Sequence, residues 1–225
     1  MRKNITNETG RNEFTQECAH LFAHALRALD APGHDRLWED AEAINVQRDP
    51  SDLLAAMASF IQQVLARTPK NRREAVTIPL HTAIDKMMQY YANLPMDIPM
   101  PAEWVDLFSW YANHHFSEHT LLQIHAWMNS LVKSRPEEFI AQETFDNPAS
   151  PWRILLFNQA IVATRTNQPD LIRSAYARIA ILLPREAKEF FAQAMEQMDL
   201  IGYPDTVRKV VQEFYQRNQH YDPRH

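Results

Sequence analysis

The sequence predicts an all-α protein, and three observations lead to that prediction. Only 3 of the 225 residues are glycine, whereas average usage would give about 16. No Asn-Gly, Asp-Gly or Gly-Gly pair occurs that would favour a two-residue β-hairpin. Apolar residues recur with helical spacing, and no stretch of comparable length alternates with a period of two. The scattered glycines also argue against P-loop and dinucleotide-binding folds, which need clustered glycines.

The remaining composition is typical of a globular chain. It is 45% hydrophobic and 23% charged, with a formal net charge of −5. No apolar run approaches the length of a membrane span, and residues 1–13 lack the apolar core of a signal peptide. Together with a single cysteine, Cys18, these features predict a cytoplasmic protein. Because Lys and Arg form no basic block, we expect no nucleic-acid partner.

Prolines mark the expected starts of helices, since proline fits the first turn of a helix but not its interior. One set recurs at intervals of 32 to 35 residues, a second set interleaves with it, and a serine occupies one missing start. The first set is Pro69, Pro101, Pro136, Pro169 and Pro204, the second is Pro50, Pro151 and Pro184, and the serine is Ser117.

These starts and the apolar stripes predict two N-terminal helices and five hairpins. The helices are expected near 12–30 and 34–47, and the hairpins at 50–66/69–78, 80–93/101–114, 117–133/136–146, 151–165/169–183 and 184–200/204–219. We expect one helical domain over 12–219, a disordered tail over 1–11 and a polar tail over 220–225. The three prolines of segment 94–101 predict either a hinge between two halves or a rigid loop.

A period near 34 residues also aligns five alanines. They are Ala58, Ala92, Ala126, Ala160 and Ala194, and an apolar residue precedes each of them by four positions. Antiparallel helices need a small residue where their backbones come closest. The column therefore predicts one close helix crossing in each repeat.

This pattern resembles the tetratricopeptide repeat, a helix-turn-helix of 34 residues. Leu156 and Ala160 match its first helix, Tyr176 matches an aromatic position of its second helix, and Pro184 matches its closing proline. The resemblance implies a right-handed α-solenoid, or α-α superhelix, of about six hairpins. It also implies a non-enzymatic scaffold, adaptor or assembly factor that binds a protein or peptide segment on its concave face. An irregular all-α bundle would give nearly the same pattern.

Four side chains are candidates for contact with that partner. Trp110 lies off the apolar face of its predicted helix, and large aromatic residues dominate many binding surfaces. In a tetratricopeptide-like array the first helix of each hairpin lines the groove. The resemblance therefore implies groove positions for Trp127, Asn158 and Arg165.

One motif suggests an enzyme instead. The string His-Phe-Ser-Glu-His, from His115 to His119, resembles the inverted zinc motif of the pitrilysin-like metallopeptidases. The resemblance implies that His115, His119 and Glu196 would bind zinc and that Glu118 would act as the general base of a zinc-dependent hydrolase. However, Ser117 is also typical of a helix N-cap, and a break there would separate the two histidines. We therefore expect no cofactor, with zinc as the alternative.

Overall fold

A computed structural model describes residues 8–29, 49–69, 73–114 and 117–219, and these residues form helices without any strand. The predicted all-α class is therefore confirmed. The ten helices in these ranges are α1 (Glu8–Leu29), α2 (Pro50–Arg67), α3 (Arg73–Ala92), α4 (Ala102–Asn113), α5 (Glu118–Lys133), α6 (Glu137–Asp146), α7 (Pro151–Arg165), α8 (Pro169–Leu182), α9 (Pro184–Ile201) and α10 (Asp205–Asn218).

Most of the predicted helix starts are confirmed. Four of the prolines are the first residue of a helix, and three others directly precede one, because a fixed φ suits the first turn and the missing N–H is not needed there. Helices α2, α7, α8 and α9 begin with Pro50, Pro151, Pro169 and Pro184, whereas Pro101, Pro136 and Pro204 precede α4, α6 and α10. Ser117 caps α5, and its side chain accepts a hydrogen bond from the backbone N–H of Thr120 at 3.3 Å.

The chain divides into two compact units, Met1–Trp110 and Tyr111–His225. In the first unit, α1 and α2 both pack against α3. Aromatic side chains join these helices: the rings of Phe14 and Tyr90 stack at 4.3 Å, and those of Phe22 and Phe60 lie 4.6 Å apart. The core of this unit therefore centres on α3.

The predicted break between residues 78 and 80 is wrong, because α3 is continuous and contains Pro79. An interior proline removes one backbone hydrogen bond and normally disfavours a helix by about 3 kcal/mol. Here the buried side chains of Val76, Leu80, Ala83 and Ile84 continue one apolar face across the proline. Burial of that face offsets the local cost, so two predicted helices are replaced by one.

Segment 94–101 is held against the first unit. Leu94 and Met100 are buried, and the Tyr91 hydroxyl donates a hydrogen bond to the backbone oxygen of Ile98 at 3.4 Å. The segment lies inside the first unit, whereas the division between the units falls within α4. These contacts favour the rigid-loop alternative, and the hinge stays a prediction.

The second unit consists of the helices α5 to α10. Helix α8 packs against α6, α7, α9 and α10, and α5 packs against α7. The six helix bounds agree with the three predicted hairpins to within two residues. Local signals end two of these helices, since Asn167 after α7 and Gly202 after α9 adopt left-handed conformations.

The alanine column is only partly a set of helix crossings. Ala58 and Ala160 are completely buried, but Ala92 and Ala126 are exposed. The predicted crossing at those two positions is wrong because each side chain faces away from the neighbouring helices. A shared period therefore did not give a shared environment.

Three further expectations concern the ends of the chain and the surface. Helix α1 begins at Glu8, within the predicted tail over 1–11, while the predicted helix at 34–47 and the tail at 220–225 lie outside the described residues. Among the helices in the described ranges, none is long and apolar enough to span a membrane.

The end of α9 provides a test of this local structure. Gly202 has φ 74° and ψ 46°, and a Cβ atom built there would meet no atom within 4 Å. We expect Gly202→Ala to lower the free energy of unfolding by about 1 kcal/mol, because a left-handed backbone strains any residue with a Cβ. Gly202→Asn should lose less, since asparagine tolerates this conformation better. Urea denaturation measures both, and an alanine variant as stable as the wild type would contradict the prediction.

Candidate functional site

The second unit contains an apolar groove of about 310 Å³, lined mainly by α7 and α9. Helix α8 contributes one residue to it, and the turn after α9 contributes another. The lining residues are Ile161, Thr164, Arg165, Tyr176, Phe190, Gln193, Ala194, Gln197, Met198, Ile201 and Tyr203.

Buried aromatic packing forms the floor of the groove. Tyr176 is 1% exposed, and its ring lies 5.6 Å from that of Phe190, which in turn stacks on Phe157 of α7 at 5.3 Å. The Tyr176 hydroxyl lies 3.0 Å from the hydroxyl of Thr164, which itself donates to the backbone oxygen of Ala160 at 2.9 Å. Tyr176 is therefore the donor, and its polar atom is satisfied beneath an apolar surface.

The rim of the groove is apolar and open to solvent. Ile161 of α7 is 40% exposed, and Ile201 at the end of α9 is 61% exposed. Leu200, which precedes Ile201, is 77% exposed. Such a cluster of exposed apolar side chains beside a cavity is characteristic of a binding surface.

A single cation lies among the lining residues. The Arg165 guanidinium donates hydrogen bonds to the backbone oxygens of Ala112 and His114, at the end of α4. These carbonyls have no partner within their own helix, so the arginine satisfies them. Burial lowers the pKa of Arg165, and the nearby Tyr203 acts in the opposite direction.

The turn after α9 places Tyr203 in the groove. The left-handed Gly202 reverses the chain, and Pro204 begins the next helix one residue after Tyr203. Burial raises the pKa of the Tyr203 hydroxyl, although Arg165 acts to lower it. The short sequence Gly-Tyr-Pro therefore fixes an amphipathic ring beside a cation.

The four predicted partner-binding residues lie in different environments. Arg165 lines the groove, but Trp127 is 3% exposed and its ring lies 6.1 Å from that of Tyr111. Asn158 is 6% exposed, and Trp110 is half-buried on α4. Trp127 and Asn158 therefore belong to the interior of the second unit in this structure, and contact between any of the four and a partner stays a prediction.

The zinc motif is divided by the helix start that Ser117 provides. Helix α4 ends at Asn113 and α5 begins at Glu118, so His119 lies in the first turn of α5 and is exposed. Glu118 accepts a hydrogen bond from the Gln168 side chain at 2.9 Å. His115 lies outside the described residues. Within the described ranges, no three His, Cys, Asp or Glu side chains group as a metal site requires, and the zinc site stays a prediction.

A buried polar cluster lies where α5, α7 and α8 meet. Arg178 donates hydrogen bonds to the side-chain oxygens of Asn129 at 2.8 Å and Gln159 at 3.3 Å. His125 is 5% exposed, and its Nε2 has no hydrogen-bond partner among the described residues. Burial lowers the pKa of His125 to about 4, and the positive charge of Arg178 acts in the same direction. The imidazole is therefore neutral at pH 7.

The sequence gave a weak signal for several groove residues that we did not select. The stripe of α9 was recognised, but Gln193, Gln197 and Ile201 lie beside its buried positions. The apolar pair Leu200 and Ile201 directly before a glycine was the available signal. It was missed because exposure at the end of a helix depends on which neighbour covers that end.

Comparison of the chain with protein-family models, curated proteins and solved structures finds no match. The groove and its chemistry are therefore the basis for the function proposed below.

Arg165 provides a test of how α4 is held. We expect Arg165→Gln to lower the free energy of unfolding by about 2 kcal/mol, because hydrogen bonds from a charged donor to buried carbonyls are lost. Arg165→Lys should recover part of this loss, since an ammonium cannot reproduce the planar, two-directional donor. Chemical denaturation measures both variants. A glutamine variant within about 0.5 kcal/mol of the wild type would contradict the structural role.

His125 predicts a pH dependence of stability. The folded-state pKa, about 4, lies below the ordinary value of 6.5, so the unfolded chain binds more protons between these values. This contribution to stability is complete above pH 6.5 and is lost as the pH falls towards 4, by at most about 1.4 kcal/mol per pH unit. Urea denaturation at several pH values measures the slope.

Two variants on α5 isolate the contribution of His125. His125→Gln should flatten the slope between pH 6.5 and 4, whereas His119→Gln, a change at an exposed histidine of the same helix, should leave it unchanged. Equal slopes for the wild type and His125→Gln would show that another group is responsible.

Proposed function

We propose that the protein is a non-enzymatic scaffold or adaptor that binds a segment of another protein in the groove lined by α7 and α9. The observation that carries this proposal is the combination of an exposed apolar rim, Ile161 and Ile201, with a buried aromatic floor. Removal of such side chains from water on binding is a favourable source of affinity. A groove of this kind has no evident role in the fold itself.

The order of the helices supports a short helical-repeat array in the second unit. Helices α5, α7 and α9 begin at residues 118, 151 and 184, which are 33 residues apart. The groove is lined mainly by α7 and α9, each the first helix of its pair, as the resemblance to tetratricopeptide repeats implies. We propose a right-handed solenoid of three hairpins for this unit, because the continuous α3 interrupts the period in the first unit.

We further propose that the protein acts in the cytoplasm. Cys18 is completely buried, and burial raises the pKa of its thiol to about 12. A thiol in this state is poorly reactive, and a single cysteine forms no disulfide within the chain. This arrangement suits a reducing compartment.

Two matched variants test the groove. Ile201 and Ile181 are both in the last turn of a helix, with 61% and 66% exposure, but only Ile201 lines the groove. We expect Ile201→Gln to lose the partner and Ile181→Gln to retain it, since both changes remove similar apolar area. Cross-linking in native lysate followed by quantitative mass spectrometry measures recovery with the wild type and both variants.

The expected result is one set of proteins recovered by the wild type and by Ile181→Gln, and reduced at least about fivefold with Ile201→Gln, which corresponds to about 1 kcal/mol. Circular dichroism should show that all three chains are equally helical. Equal recovery by all three proteins would contradict binding in the groove.

A further inference from the structure

The groove contains a positive charge that the chain itself does not neutralise. We propose that the bound segment carries an aspartate or glutamate flanked by apolar side chains, and that this carboxylate lies beside Arg165. This inference rests on the proposed function, because it names the chemistry of the segment that the groove binds.

The first argument is the way in which Arg165 is bonded. Its guanidinium donates to the backbone oxygens of Ala112 and His114, and these carbonyls carry partial charges without a net charge. Among the residues that the structure describes, no carboxylate forms an ion pair with Arg165. The hydrogen bonds are therefore satisfied while the unit charge persists.

Two other partly buried arginines of the same unit provide a comparison. Arg153 lines a second surface cavity, of about 300 Å³, and there it pairs with Glu186. Arg208 pairs with Asp199 at 2.7 Å. Both of these cations are neutralised within the chain, whereas the cation in the apolar groove is left for an external anion.

The surroundings of Arg165 strengthen its attraction for an anion. Ile161 lies one turn before it on α7, and the rings of Tyr176 and Phe190 line the same groove. Once a segment covers these apolar groups, water is displaced and the effective dielectric constant falls. A carboxylate between apolar side chains is therefore the partner that satisfies both features of the groove.

Two glutamines favour a polypeptide over a small carboxylic acid. Gln193 and Gln197 line the groove one turn apart on α9. Their side-chain amides can donate to and accept from the peptide groups of a bound segment. The apolar surface also continues beyond the cavity through Ile201 and the neighbouring Leu200, so a longer occupant buries more of it.

Selection from a displayed library of random twelve-residue segments tests the inference without knowledge of the natural partner. The full-length chain is the target, and an enriched segment is synthesised with its acidic residue or with the corresponding amide. We expect enriched segments to combine Asp or Glu with aliphatic or aromatic residues. The acidic peptide should bind about fivefold to tenfold more tightly than the amide peptide, as measured by isothermal titration calorimetry.

A matched pair of variants assigns this preference to Arg165 without breaking its bonds to α4. Ile161→Gln and Ile161→Glu remove the same apolar side chain, but glutamate four residues before an arginine on a helix forms an internal ion pair. We expect Ile161→Gln to weaken both peptides while keeping the acid-to-amide ratio. Ile161→Glu should reduce that ratio to about one, because Arg165 is then already neutralised. Circular dichroism and urea denaturation check that both variants fold.

The outcomes separate this inference from the proposed function. Enriched segments that bind equally as acid and amide would overturn the acidic preference and leave segment binding intact. An unchanged ratio in Ile161→Glu would assign the preference to a group other than Arg165. No enriched segment on the wild-type chain would overturn the proposed function. Binding of octanoate, used as a small apolar carboxylate, without any enriched segment would favour a small-molecule site and overturn both proposals.

Discussion

The second unit depends on the burial of Tyr176. Its ring lies 5.2 Å from that of Phe191 and 5.5 Å from that of Phe214, so one side chain of α8 contacts both α9 and α10. Its hydroxyl bonds to Thr164 of α7, and burial raises the pKa of this hydroxyl to about 12. One residue thus connects four helices through apolar packing while its polar atom stays satisfied. The groove is the solvent-facing side of this arrangement, because Phe190 packs on Tyr176 from above.

Arg165 has two consequences that are separable in physical terms. Its hydrogen bonds satisfy carbonyls at the end of α4, which stabilises the structure around it. Its charge is not consumed by those bonds, because a carbonyl oxygen is an acceptor without a net charge. The same side chain can therefore hold a helix end and attract an anion. A rigidly held cation also loses little conformational freedom when a ligand arrives.

Local signals in the sequence predicted most of the helix boundaries. Pro151, Pro169 and Pro184 begin helices, and Ser117 caps one, because first-turn chemistry is decided by the residue and its nearest neighbours. The same rule was wrong at Pro79, where burial of apolar residues on both sides outweighs the local cost. The period was also insufficient at Ala92 and Ala126. Alanine fits equally well at a helix crossing and on a solvent-facing surface, so its identity does not reveal which one it occupies.

The candidate site was predictable only in part. Arg165 was selected from the resemblance to a repeat, whereas Trp127 and Asn158 are buried in this structure and Tyr203 was missed. By itself, the sequence determined the all-α class, the helix starts in the second unit and the left-handed glycine after α9, since these follow from composition, periodicity and local backbone preferences. Only the tertiary structure decided which apolar residues stay exposed, which arginine lacks a carboxylate and which helices line the groove. Those properties depend on contacts between residues distant in the chain, and one sequence does not specify such contacts in any local pattern.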